Sequence, residues 1–129
     1  MRAIAAAAMI VTMTAAASAD PVLECSGGAA SQVQIGECLA RTEAVADQAM
    51  AAALEIARAA AGEVDTATGR AGVRPALDAA QAAFLAYRDK SCEAVGAAFG
   101  GGSGTGIAIR GCRIAMTRDR TDALIRFGR

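Results

Sequence analysis

The side chains best equipped for chemistry are four cysteines, Cys25, Cys38, Cys92 and Cys112, in a chain that has no histidine. Their spacing contains no C-x-x-C redox motif and matches no zinc signature, and the missing histidine removes the commonest metal ligand and haem attachment. No metal and no cofactor is expected. Nucleophilic catalysis also lacks its usual general base, so a serine or cysteine nucleophile would need a lysine or carboxylate partner. Lys90 is the sole lysine and no S-x-x-K pattern surrounds it.

A glycine run is the next candidate. Gly101-Gly102-Ser103-Gly104-Thr105 misses the final glycine of a nucleophile elbow, and it fits neither G-x-G-x-x-G nor a P-loop ending in G-K-[ST]. It reads as a flexible connection between helices. Asp119 and Asp122 have the i,i+3 spacing of two carboxylates on one helix face, but between Arg118 and Arg126 they read as solvated surface charge. The chain is not expected to be an enzyme. Two arginines stand out, because Arg88 projects near the apolar stripe of Leu77, Phe84 and Val95, and Arg120 lies between Met116, Leu124 and Phe127. A guanidinium aimed at a core needs carboxylates or free helix-end carbonyls to take its hydrogens, so each is predicted to have a fixed partner. Tyr87 beside them has a hydroxyl able to cap a loop carbonyl.

The elements that must position these residues follow a leader. Met1-Arg2, an apolar run from Ala3 to Ala17 and the A-x-A site Ala17-Ser18-Ala19 read as a secretory signal peptide over residues 1–19, cleaved after Ala19. Periplasmic or secreted localisation follows, with no membrane anchor, since Cys25 lies too far from the cleavage point for a lipoprotein. Residues 20–129 form one domain of 110 residues. Without Arg2, 12 basic residues stand against 13 acidic ones, a net charge of −1, which gives no pull toward nucleic acid. The distribution is uneven. Residues 20–65 hold eight acids and only Arg41 and Arg58, whereas residues 66–129 hold five acids and ten bases. Helices with complementary flanks are one reading of this asymmetry, and an acidic face for a cationic partner is the other.

Ser31 with Gln34 makes a capping box, and the proline-free run Gln32 to Ala61 predicts a long helix stopped at Gly62. Ile35, Cys38, Leu39, Thr42, Val45, Ala46, Ala49, Ala53, Ile56, Ala57 and Ala60 form its expected inner stripe, with Glu37, Glu43, Asp47 and Glu55 opposite. The many alanines on that stripe let a neighbour approach closely. Pro75 suits the first turn of a second helix reaching about Ala98, with Leu77, Ala80, Phe84, Ser91 and Val95 inward. The glycine run stops it, and a third helix spans about Ile107 to Phe127 with Cys112, Met116, Ala123, Leu124 and Phe127 inward and Ile114 and Ile125 elsewhere. The predicted fold is a small all-α antiparallel three-helix bundle with two disulfides. In a hairpin across the glycine loop Cys92 and Cys112 lie at similar height, which favours Cys92 with Cys112 and Cys25 with Cys38. An up-down-up bundle gathers all four at one end, so crossed pairings stay open.

Ala80-Gln81-Ala82-Ala83-Phe84-Leu85-Ala86-Tyr87-Arg88-Asp89-Lys90-Ser91-Cys92, then Gly101-Gly102-Ser103, Cys112, Thr117, Arg120 and Leu124, resembles the family of the lysozyme inhibitor LprI N-terminal domain. Cys25 and Cys38 stand in the places of that family's early cysteine pair, and Phe84 stands where the family usually has tryptophan. The resemblance implies a small helical, disulfide-bonded envelope protein whose namesake binds and inhibits lysozyme. For such a target, Glu43, Asp47 and Glu55 could meet a cationic surface, and Gly101, Gly102, Ser103, Gly104 and Thr105 could approach a cleft built on two carboxylates. A structural or adaptor module binding another envelope protein is the alternative.

Overall fold

A computed structural model describes residues 19–29 and 31–129; the proposed leader, apart from Ala19, lies outside the described residues. Four helices follow one another: α1 (Pro21–Ser26), α2 (Gln32–Thr68), α3 (Val73–Ala98) and α4 (Thr105–Phe127). The described residues contain no strand. The last three helices make the expected antiparallel bundle, with the broadest interface between α2 and α4.

The short α1 was not anticipated. Its cause is local: the Asp20 carboxylate accepts from the Val22 and Leu23 amides at 2.8 and 3.4 Å, and Pro21 fills a first-turn position where its missing N–H costs nothing. On α2, the Ser31 hydroxyl accepts from Gln34 N as predicted. The predicted stop at Gly62 is corrected, since α2 runs six residues further to Thr68 and ends on Gly69 with φ +66°. One helical glycine costs only about 1 kcal/mol relative to alanine, less than the packing of fully buried Ala61 and the end-locking of Asp65 return.

Asp65 closes the α2–α3 turn. Gly72, the residue before α3, offers no capping side chain, so the Asp65 carboxylate reaches across to accept from Gly72 N, Val73 N and Arg74 N at 3.0, 2.8 and 3.1 Å. Those amides, led by Val73, hold Asp65 below its ordinary 3.8. At the other end of the bundle, Arg118 of α4 grips Glu24 of α1 through two hydrogen bonds of 2.7 and 3.0 Å, which holds Glu24 below its ordinary 4.5. A carboxyl depressed on folding contributes stability above its unfolded pKa, and that contribution is lost as pH falls through the folded value. The melting temperature should therefore hold above the ordinary carboxylate range and decline below it. Asp65→Asn should melt lower at neutral pH and show a shallower acid decline, as read by circular dichroism from about pH 7 to about pH 2.

Two apolar clusters fill the interior. Cys25, Leu39, Ala46 and Ile114 form one, joined by Val22, Ile35 and Ile107; Met50, Ala53, Leu54, Ala57, Ala61, Leu77 and Leu124 form the other, joined by Phe84 and Ile125. The buried line of α2 is narrower than predicted: Val45, Ala49 and Ile56 are exposed, because a three-helix bundle covers only one side of its longest member. On α3, Leu77 is buried as expected, but Ala80 and Val95 are exposed, and Gln81, Cys92 and Gly96 face inward instead. The correction on α4 is larger. Ile114, placed outside the stripe by periodicity, is fully buried with Gly111, Thr117 and Leu124, whereas Phe127 is exposed. The inner faces of α3 and α4 carry a glutamine, a threonine and two glycines, which blurs any apolar periodicity.

The glycines mark close approaches. A β-carbon on Gly96 would lie 2.6 Å from the Ile109 side chain, and one on Gly111 would lie 2.6 Å from Val22 Cγ2, so α3 and α1 can press onto α4 only without them.

Candidate functional site

Both disulfides form as expected, Cys25–Cys38 with Cα atoms 5.7 Å apart and Cys92–Cys112 with Cα atoms 5.5 Å apart. The first ties α1 to α2, the second α3 to α4 below the glycine loop. Met116 packs on the second bridge, its Sδ 3.7 Å from Cys92 Sγ and 3.9 Å from Cys112 Sγ.

The loop is a tight connection. Gly100 and Gly101 have φ of +66° and +82°, a region L side chains rarely adopt, and Thr105 N donates to Gly102 O at 3.0 Å. Gly101, Gly102 and Ser103 are exposed, while Gly104 is half-buried. Thr105 opens α4 with its hydroxyl oxygen buried, so Ser103 presents the accessible hydroxyl of this segment. Around the loop, Phe99 is 56% exposed and Val33 of α2 is 70% exposed. A groove of about 420 Å³ runs between Ser103, Ile107 and Arg110 on one side and Val33, Gly36 and Glu37 on the other.

Of the remaining motif residues, Leu124 and Phe84 belong to the second apolar cluster, and Arg88, Asp89 and Thr117 form a polar belt with Asp47 across α2, α3 and α4. Arg88, its side chain 11% exposed, donates from Nη1 to Asp47 Oδ1 and to Thr117 Oγ1, both at 2.9 Å, and from Nε to Asp89 Oδ1 at 3.1 Å. Asp89 also faces Arg113 Nε at 3.5 Å; Glu43 meets Arg113 Nη1 at 3.8 Å and accepts from Arg110 Nη1 at 2.7 Å. Arg120 donates from Nε to Gln81 Oε1 at 2.9 Å and stacks its guanidinium 5.5 Å from the Phe84 ring centroid. Arg88 thus has the carboxylate partner expected of it, whereas Arg120 is held by the Gln81 side chain and the Phe84 ring rather than by a carboxylate or a helix-end carbonyl, and its Nη2 is left unpartnered. Leu124 is fully buried. Tyr87 points outward, 65% exposed, rather than back to the loop.

The acids of α2 are engaged by the same belt. Glu43 and Asp47 take arginines from α4 and α3, and Glu55 takes Arg58, which also donates to Asp78 at 2.7 Å. Complementary flanks therefore account for Glu43 and Asp47, whereas Glu55 is served by an arginine of its own helix. Arg88→Met should cost about 2 kcal/mol, less than a fully buried pair, because Asp47 and Asp89 are half-exposed and regain water. Asp47→Asn should cost under about 1 kcal/mol, since Asp89 still holds the guanidinium. Urea unfolding of the two variants compares them directly.

Gln81, Asp65, Gly96, Gly111 and the Glu24–Arg118 pair were missed. Only Asp20-Pro21, an N-cap followed by an N1 proline, carried a local signal for any of them, through the helix that bears Glu24.

Helices bridged twice at one end, with a glycine turn above the second bridge and a cationic belt neutralised from within, define a small disulfide-clamped helical bundle. The chain belongs to the lysozyme inhibitor LprI family, whose model matches residues 24–124. It is 34% identical over 133 residues to an uncharacterized protein of Rhizobium meliloti (strain 1021), covering 96% of this chain and 94% of the relative. No solved structure matches. Of the residues that carried the resemblance, Arg88, Asp89 and Thr117 meet in one belt, Phe84 and Arg120 pair beside it, and Gly102 and Ser103 sit at the loop. Two disulfides fit a location outside the cytoplasm, and no described helix is long and apolar enough to cross a membrane.

Proposed function

We propose that this protein binds lysozyme through its disulfide-clamped end and inhibits it. The observation that carries the reading is the surface of that end: a glycine turn pinned by Cys92–Cys112, with exposed Phe99 and Val33 beside it. Large apolar side chains exposed next to a rigid turn suit a protein contact, in which an aromatic anchor supplies much of the affinity. Gly101 and Gly102 let the backbone come close to a partner, and the Ser103 hydroxyl can donate to a cleft carboxylate. Glu43, Asp47 and Glu55 are each paired with an arginine of the bundle, so in this reading a cationic enzyme is held by the tip rather than by these acids.

The test titrates the purified oxidised protein against chicken-type and goose-type lysozymes while following the turbidity of a cell-wall suspension. Inhibition by the wild-type protein is expected, with Phe99→Ser and Ser103→Ala each weakening it by about tenfold or more at unchanged melting temperature. Indifference of every lysozyme to the wild-type protein would replace this reading with that of an adaptor for another envelope protein.

A further inference from the structure

The end of the bundle away from the disulfides holds a larger cavity, of about 710 Å³, between the last turns of α2, the first turns of α3 and the end of α4. Val64, Val73, Ala76, Leu77 and Phe127 give it apolar walls. That volume falls within the roughly 300–1,000 Å³ of small-molecule sites. Two charged groups of like sign, Arg70 and Arg120, also line it. Its one acid, Asp65, is committed: both carboxylate oxygens accept from backbone amides of the α2–α3 turn. Arg120 is not fully satisfied. Its Nε donates to Gln81, but Nη2 is buried without any hydrogen-bond partner. Nη2 is itself covered, so what Arg120 offers the cavity is its positive charge, set beside that of Arg70 with no free carboxylate to balance the two.

We infer that this cavity binds a free fatty carboxylate, with the acyl chain along the α2–α3–α4 walls and the headgroup at Arg120, assisted by Arg70. A carboxylate balances the charge of Arg120 and Arg70, whereas a cationic or neutral headgroup would leave the positive wall unbalanced. A second copy of the chain is a poorer occupant. The cavity is lined by 11 residues, well short of the roughly 20–30 per side of a stable protein interface. The site lies at the opposite end from the proposed lysozyme-binding tip and is independent of that reading.

The probe is cis-parinaric acid, a fluorescent fatty carboxylate, added below its micellar concentration to the purified oxidised protein. Saturable fluorescence enhancement is expected, reversed by dodecanoate about tenfold more effectively than by dodecyltrimethylammonium. Ala76→Phe, at an exposed wall position, should fill the cavity and weaken parinarate about tenfold with the melting temperature preserved. Arg120→Gln should erase the preference of the site for dodecanoate over dodecanol. The inference is overturned by absence of saturable binding, by equal displacement with the cationic amphiphile, or by parinarate binding that Ala76→Phe leaves intact. It is equally overturned if the wild-type protein takes up only anionic phospholipid vesicles, or only peptides with an apolar C-terminus, and not the monomeric fatty carboxylate.

Discussion

Replacing Cys92 and Cys112 together by serine is expected to lower the unfolding free energy by about 3 kcal/mol, the chain entropy released when a crosslink across 20 residues is removed. Urea denaturation of the oxidised wild-type protein and the double variant measures it, and coincident midpoints would refute the estimate. Removing Cys25 and Cys38, separated by 13 residues, should cost slightly less. The functional consequences should differ more than the energetic ones. Cys92–Cys112 fixes the spacing of the two helix ends from which the glycine turn springs, so its loss should weaken the proposed inhibition of lysozyme even at temperatures where the bundle remains folded. The Cys25–Cys38 bridge holds α1, whose docking is also supported by the Arg118–Glu24 pair.

The second large effect is expected at Ile114, which is fully buried beneath α1 and α2. Truncation to alanine removes three carbons from a cluster that has few large side chains to relax into the space. Ile114→Ala should cost about 3 kcal/mol, and Ile125→Ala, at a partly buried position beside the other cluster, less than half of that. The comparison is pointed because hydrophobic periodicity ranks the two isoleucines alike. Equal losses would mean that α4 is rotated relative to the orientation described.

The three long helices, their antiparallel order and the disulfide pairing were legible because their signals are local: Ser31 with Gln34, Pro75, the glycine run, and cysteines at matched distances from that run. The inner faces of α3 and α4 were not. A hydrophobic stripe is visible only where buried positions are apolar, and here Gln81, Gly96, Gly111 and Thr117 occupy them. Gln81 is buried to orient Arg120, Thr117 to accept from Arg88, and the two glycines to admit Ile109 and Val22. Each is set by a residue distant in sequence, which no window along the chain can see. The end of α2 escaped for the same reason, since Asp65 is a cap for a different helix. Of the candidate site, the loop and the two inward arginines were readable from composition, whereas the exposure of Phe99 and Val33 beside the loop depended on where the bundle left them uncovered.

The polar belt has a consequence for how the helices find their alignment. Toward the end of α2 the inner face offers Ala53, Ala57 and Ala61 at one-turn intervals, so that a partner shifted there by one helical turn, about 5.4 Å, still meets alanine. Apolar burial alone discriminates weakly between such positions. Asp47, Arg88 and Thr117, one from each long helix, can satisfy one another only when all three stand at the same level. The polar belt thus adds to the register, and a shifted arrangement is disfavoured because Arg88 would lose Asp47 and Thr117 and keep only its neighbour Asp89.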